Sequence, residues 1–332
     1  MKKFRLAKMA IKTLFVATLI ASVPAYAINL NYESLSSLEQ PLAAQYADVT
    51  FTLTGLVDAA LDHDSDTSDS LLLGNFQLGA ETQLTNSWTL GAAYFGEYSN
   101  SDDDYYLDNA AVYLGGFLGT ASVGNVTGLV REQTRRSRGV GNAPLSVDDH
   151  LGQLSDSGIA YLGRFGPTQL VATIDDQDGF EVGGIYQRPI GNKDYRISLR
   201  YRDSKFTPED EIVELSSQAL GLVAELTYGS TVVDLGLSLE QISNNRLSVD
   251  RQAFSFGAAH KVGVFTFSGE AHFGDIDGQS ENSYSAGLRY DIARGLSLNV
   301  GINHSDAQAD IGCITLLDED QTQGTFSLRY SF

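Results

Sequence analysis

The chain has little of what would fix a disulfide-bonded, helical-membrane or nucleic-acid-binding protein. Its single cysteine, Cys313, excludes an internal disulfide and leaves a free thiol or an intermolecular link. After residue 27 no apolar run reaches the roughly 20 residues that a spanning helix needs, so a membrane location would require strands. Positive charge is scarce: 22 Lys and Arg stand against 42 Asp and Glu, for a formal net charge of −20, which argues against nucleic acid as a partner. Histidine is scarce too, with five in the chain. His304 and Ser305 are neighbours and on a strand point to opposite faces, while His272 and Glu270 share a face but lack an evident third group. No enzyme is expected.

What is present begins with a basic stretch, Lys2, Lys3, Arg5, Lys8 and Lys12, then an apolar run from Leu14 to Val23 and the small-x-small site Ala25-Tyr26-Ala27. Residues 1–27 read as a cleaved secretory signal peptide. Residues 28–47 carry Leu35, Leu38 and Leu42 at helical spacing with Pro41 between them. They read as a short periplasmic or pore-lining extension with a turn or two of helix, or as a disordered tail.

From residue 48 to residue 332 the chain is a series of strand candidates about ten residues long: 49–61, 71–84, 87–99, 105–115, 117–125, 157–164, 167–175, 180–189, 194–203, 215–228, 230–241, 251–261, 263–273, 282–292, 295–304 and 323–332. Several alternate cleanly. Tyr195, Ile197, Leu199 and Tyr201 oppose Arg196, Ser198, Arg200 and Arg202; Val233, Leu235, Leu237 and Leu239 oppose Asp234, Gly236, Ser238 and Glu240. In the last segment Phe326, Leu328, Tyr330 and Phe332 form one apolar face, and the chain stops there. A soluble edge strand of that kind invites aggregation; a closed barrel in lipid satisfies both its edges and its apolar face.

Connection lengths carry a second period. Tight turns, as at Gly166-Pro167 and Gly191-Asn192, alternate with longer acidic links such as Asn100–Asp104, Gly274–Glu281 and Ser305–Thr322. Sixteen strands with alternating short and long links define an antiparallel transmembrane β-barrel. The acidic triplets Asp102-Asp103-Asp104 and Asp318-Glu319-Asp320 lack the spacing of a calcium loop, so no cofactor is expected beyond weak calcium or magnesium at these outer loops.

The terminal alternation ending in Phe332 resembles the C-terminal strand of Gram-negative outer-membrane proteins, where it serves as an assembly signal. That implies an outer-membrane location, surrounding lipid and lipopolysaccharide, and the barrel-assembly machinery as a partner during biogenesis. One link breaks the rhythm. Thr127–Asp156 holds Arg131, Arg135, Arg136 and Arg138, then Gly139, Gly141 and Pro144, then Asp148, Asp149 and His150. A link of that length is usually functional. By strand count, loop rank and terminal Phe, the chain resembles the sixteen-stranded general porins, whose third loop folds inward to form the constriction.

The resemblance implies a general diffusion channel for ions and small hydrophilic solutes, or alternatively a substrate-specific one. It implies loop carboxylates, here Asp148 and Asp149, facing a wall cluster, here Arg196, Arg200 and Arg202 with Arg164 and Arg188 nearby. The four loop arginines depart from the family's pattern. They read as part of the constriction, or as a solvated loop or subunit contact; Asp148 and Asp149 could instead begin a helix. The resemblance also implies a homotrimer packed through the N-terminal strands and strand sixteen, with Ala59, Ala80, Ala92 and Ala111 read as small residues on the outer faces of the early strands.

Overall fold

The computed structural model describes residues 42–63, 68–85, 87–99, 105–137, 145–148, 150–155, 157–207, 214–244, 248–311 and 314–332. The signal peptide, most of the 28–47 extension, Asp102-Asp103-Asp104, Arg138, Asp149 and Cys313 lie outside the described residues. The strands are β1 (Leu42–Tyr46), β2 (Val49–His63), β3 (Ser68–Gln83), β4 (Thr89–Ser99), β5 (Tyr105–Gly116) and β6 (Gly119–Asn125). After the helix α1 (Leu129–Thr134) come β7 (Ser157–Phe165), β8 (Thr168–Asp175), β9 (Phe180–Ile190), β10 (Lys193–Phe206), β11 (Leu215–Tyr228) and β12 (Thr231–Ser243). The series ends with β13 (Ser248–Val262), β14 (Phe265–Ile276), β15 (Gln279–Ala293), β16 (Leu296–Ile311) and β17 (Ile314–Ser331).

Strands β2 to β17 pair antiparallel with their chain neighbours, and β17 pairs with β2, so sixteen strands close on themselves. Closure leaves no open edge in the hydrocarbon layer, as a spanning sheet requires. Period-two alternation then sorts the two faces, and the sorting is inverted relative to a soluble protein. On β12, Leu235, Leu237 and Leu239 are 45%, 50% and 52% exposed, while Asp234, Ser238 and Glu240 are 2%, 2% and 3% exposed. The apolar face points out and the polar face points in, which is stable only when lipid surrounds the wall.

The seam has a composite construction. β17 pairs with β2 as far as Ser331 opposite Leu56; the Gly55 amide then donates to the Phe332 carbonyl (2.8 Å) and the Phe332 amide to the Gly55 carbonyl (2.9 Å). Below that point β1 takes over the same edge of β2, from Leu42 opposite Leu53 to Tyr46 opposite Val49. The end of the chain and its first described strand therefore share one lane of the wall. Leu42 is extended here, where the spacing of the early leucines predicted helix: a strand edge left bare by the short end of β17 offers backbone partners that an isolated helical turn lacks.

Two links differ from the sequence reading. Gly274–Glu281 is almost all strand, because β14 and β15 meet at the two-residue turn Asp277-Gly278, both at positive φ (52° and 88°). Asp-Gly is the strongest local signal for such a hairpin. Ser305–Thr322 is mostly strand as well: β16 and β17 run on as a long hairpin, with Asp318, Glu319 and Asp320 opposite Gln308, Ala307 and Asp306. Ala111 also differs. It is 3% exposed and faces inward, so the small residues of the early outer face reduce to Ala59, Ala80 and Ala92.

Candidate functional site

Described residues of the segment between β6 and β7 contact β8, β9, β10, β12 and β14. Val126, Leu129 and Val130 bury themselves with Ala111, Ala160, Val171 and Ile185, one apolar patch of the interior. This fixes α1 against β8, β9 and β10. Its one-and-a-half turns are too short to hold by propensity, so tertiary contacts must hold them. Arg196 on β10 supplies one: its Nη1 and Nη2 donate to the carbonyls of Arg135 (2.9 Å) and Gln133 (2.7 Å). A cation at the last carbonyls of a helix satisfies them and complements the dipole.

The wall is cut to receive this segment. A Cβ on Gly183 of β9 would lie 2.7 Å from Thr134 Cγ2, and one on Gly236 of β12 would lie 2.3 Å from Val147 Cγ2. Only glycine permits both approaches.

Arg136 sits at the centre. Its side chain is 1% exposed and touches three carboxylates: Nε to Asp148 Oδ2 (3.2 Å), Nη1 to Asp234 Oδ1 on β12 (2.8 Å) and Nη2 to Glu270 Oε1 on β14 (3.3 Å). Nη2 also donates to Ser146 Oγ (2.8 Å). Burial works against the charged guanidinium, but Asp148, Glu270 and Asp234 outweigh it and hold its pKa above the ordinary value. Arg200 on β10 donates to the carbonyls of Val147 (3.1 Å) and Asp148 (2.7 Å). Glu240 on β12 accepts from the amides of Leu151 and Gly152 (3.2 Å each) and from Ser217 Oγ (2.6 Å).

His150, 6% exposed, faces Ser238, its Nδ1 3.2 Å from the hydroxyl and 3.8 Å from Glu240. Burial, then the Arg200 guanidinium, push its pKa down to about 3 against the pull of Glu240. The imidazole is neutral, because Glu240 is already met by Arg251 Nη1 (3.2 Å), the Ser217 hydroxyl and two amides.

The residues singled out in the sequence thus separate. Arg135, Arg136, Asp148, Arg196 and Arg200 converge on one network. The pairing differs from the expected one: Asp148 pairs with Arg136 of its own link, and the wall arginines Arg196 and Arg200 hold backbone carbonyls. Arg135 pairs with Glu132 (3.3 Å), and Arg131 is exposed on α1. Arg202, 4% exposed, stands opposite Glu181 of β9. Arg164 faces inward one residue from the end of β7, where it donates to Gln169 (3.2 Å). Arg188 is the exception. It shares a face with Val182 and Tyr186 and is exposed on the outside of β9, so it belongs to no inward cluster.

The sequence reading missed the acidic half of the network, Asp234, Glu240 and Glu270, although their place on the polar faces was evident. It also missed Arg251, which donates from Nε to Glu281 (2.7 Å) and from Nη1 to Glu240 (3.2 Å). Bordering the apolar patch at Ala111 and Leu162, between β2 and β7, is a cavity of about 820 Å³ lined by Thr52, Gln77, Glu81, Tyr113, Ser122 and Arg164 among others.

Comparison with known proteins agrees with this architecture. The family model described as Gram-negative porin matches residues 40–310. No curated protein sequence matches significantly. Among solved structures, the trimer form of in-vitro folded OmpT, an outer membrane protein of Vibrio cholerae, superposes with a TM-score of 0.70 at 13% identity, covering 86% of this chain and 100% of the other. An anion-selective porin from Comamonas acidovorans superposes with a TM-score of 0.65 at 16% identity over 86% and 100% of the two chains. A mutant porin of Rh. blastica gives 0.58 at 15% identity over 85% and 100%. The chain belongs to the Gram-negative porin family: it is an outer-membrane barrel through which ions and small solutes diffuse passively.

Proposed function

We propose that the link between β6 and β7 folds into the barrel as a third loop and forms the constriction of a general diffusion channel. The observation that carries this reading is the Arg136 guanidinium. It belongs to the link, yet bonds to Asp234 and Glu270 on the inward faces of two wall strands. Charges of both signs lining a narrow wet gap set up a transverse field and tune which ions pass. The constriction comprises Arg131, Arg135, Arg136 and Arg138 with Asp148 and Asp149 on the loop, and Arg196, Arg200 and Arg202 on the wall. Arg164 stands nearer the turn end. Arg188 is left out.

Planar-bilayer conductance with a reversal potential in a salt gradient tests the reading. Replacing Arg135, Arg136 and Arg138 with Ser should raise conductance and move the reversal potential toward cation preference in a barrel that still folds. No change in either quantity would remove the loop from the constriction.

The same reading extends to assembly. The first 27 residues direct export, the face ending in Phe332 engages the barrel-assembly machinery, and the folded barrel contacts lipopolysaccharide. Three copies associate through the early strands and β17, with Ala59, Ala80 and Ala92 leaving room for close approach; the trimer form of the Vibrio cholerae protein supports this by likeness of fold. Native mass spectrometry in detergent showing only monomer would refute the trimer.

A further inference from the structure

The loop network occupies the side of the barrel formed by β8 to β15. The cavity between β2 and β7 has a different chemistry. Its walls carry hydroxyls and amides, and its charged liners are of both signs. Glu81 is engaged, its Oε2 accepting from the Tyr113 hydroxyl at 2.9 Å. Arg164 donates to Gln169. No bare cluster of one sign therefore favours a charged ligand here.

Two features go beyond a merely wet wall. Gln77 is 5% exposed and lines the cavity, yet its Oε1 has no hydrogen-bond partner among the described residues. A buried amide oxygen without a partner is costly, and a solute hydroxyl that donates to it removes the cost. Thr52 and Ser122, 6% and 5% exposed, add hydroxyls that both donate and accept. Tyr113 adds an aromatic platform. Its ring lies so close over Gly91 that a Cβ there would be 2.2 Å from Cζ, and the bond to Glu81 holds it in place. An aromatic face beside several convergent donors and acceptors suits a solute with an apolar carbon face and a rim of hydroxyls.

We infer that this cavity is a subsite for small uncharged polyhydroxylated solutes, monosaccharides and polyols, held by Gln77, Thr52, Ser122 and the ring of Tyr113. The inference rests on the chain being a diffusion channel and deepens that reading by giving it a preferred class of solute. The subsite lies beside the path on the wall that the arginine network leaves free. A weak site of this kind raises the local concentration of its solute and still lets it leave.

The test is single-channel conductance in planar bilayers during titration with glucose, with glycine betaine as a polar solute that has no hydroxyls. A solute that only thickens the solution lowers conductance without saturation. Glucose should lower it saturably and betaine should not. In Gln77→Leu the half-saturating glucose concentration should rise about five-fold, the value of one lost hydrogen bond. Heat-modifiable migration on a gel confirms that the variant folds; Tyr113→Leu, read the same way, serves if Gln77→Leu fails to assemble. A glucose response without saturation in the unaltered protein, or an unchanged half-saturation in both variants, overturns the subsite. Absence of any ion conductance would instead overturn the channel reading on which it rests.

Discussion

Arg136 and Asp234 lie 98 residues apart in the chain and meet at 2.8 Å, both side chains almost wholly buried. The contact joins the β6–β7 link to the inward face of a wall strand. With Glu270 and Asp148 it surrounds one guanidinium with three carboxylates. Such a group is poised asymmetrically: the cation can be lost only by leaving three anions with little compensation.

Arg136→Ala should therefore detach the link from the wall without unfolding the barrel. Breaking one side of a buried ion pair costs about 3–5 kcal/mol. That cost is local, because the strand pairings do not depend on Arg136. Current recordings should become noisier, with a larger mean conductance and a reversal potential shifted toward cations. Adding Asp234→Asn and Glu270→Gln should reverse most of the selectivity shift. Quiet recordings of unchanged size from the single variant would contradict the latch.

The seam gives a second expectation. A Cβ on Gly55 would stand 2.7 Å from Phe332 Cζ and 2.9 Å from the Asn75 carbonyl oxygen. Gly55→Val should push the terminal ring from its place beside Tyr330, where the two rings stack at 5.7 Å. Overpacking of this kind costs roughly 1–3 kcal/mol. Folding into lipid vesicles, followed by gel mobility, should slow and the temperature of the mobility change should fall. Gly74→Val is the control, since a Cβ there meets only Leu56 O, at 4.0 Å.

His150 should stay neutral well into the acid range. Its folded pKa of about 3 lies below the ordinary 6.5, so as pH falls the unfolded chain takes up the proton first. The histidine's contribution to stability is complete above about pH 6.5 and is lost as pH falls from there toward about 3. Imidazole proton shifts measured by NMR in detergent should be flat from about pH 8 to about pH 5. A titration with a midpoint near the ordinary histidine value would show that Glu240 wins over burial and Arg200.

The acidic hairpin should matter only at low salt. Asp320 is exposed and stands directly opposite Asp306, so like charges face each other on the β16–β17 hairpin. Their reach falls off over about 8 Å at physiological ionic strength. Replacing Asp318, Glu319 and Asp320 with Asn, Gln and Asn should leave conductance in concentrated salt unchanged and reduce cation attraction only in dilute salt. A shift in concentrated salt as large as that from Arg136→Ala would put the hairpin at the narrowest point.

The sequence by itself determined the wall. Side chains alternate faces along a strand whatever the strand pairs with, so the phase of Leu235, Leu237 and Leu239 against Asp234, Ser238 and Glu240 could be read residue by residue, and the tight turns announced themselves in glycine. The same phase also held the answer for Arg188, which falls in step with Val182 and Tyr186; treating it as a neighbour of Arg196 ignored that step. Asp277-Gly278 was legible too, as a hairpin dipeptide.

What only the tertiary structure decided is which charges meet. Arg136 finds partners 12, 98 and 134 residues away, and Arg196 spends its guanidinium largely on the carbonyls that end α1, outcomes that no local pattern encodes. β1 is the opposite case: it folds back on β2 through the two-residue turn Ala47-Asp48, a local hairpin on the stretch of the β2 edge that β17 leaves bare. Alternation is a property of the backbone and is written locally; pairing across the interior depends on closure, which brings distant strands together at once.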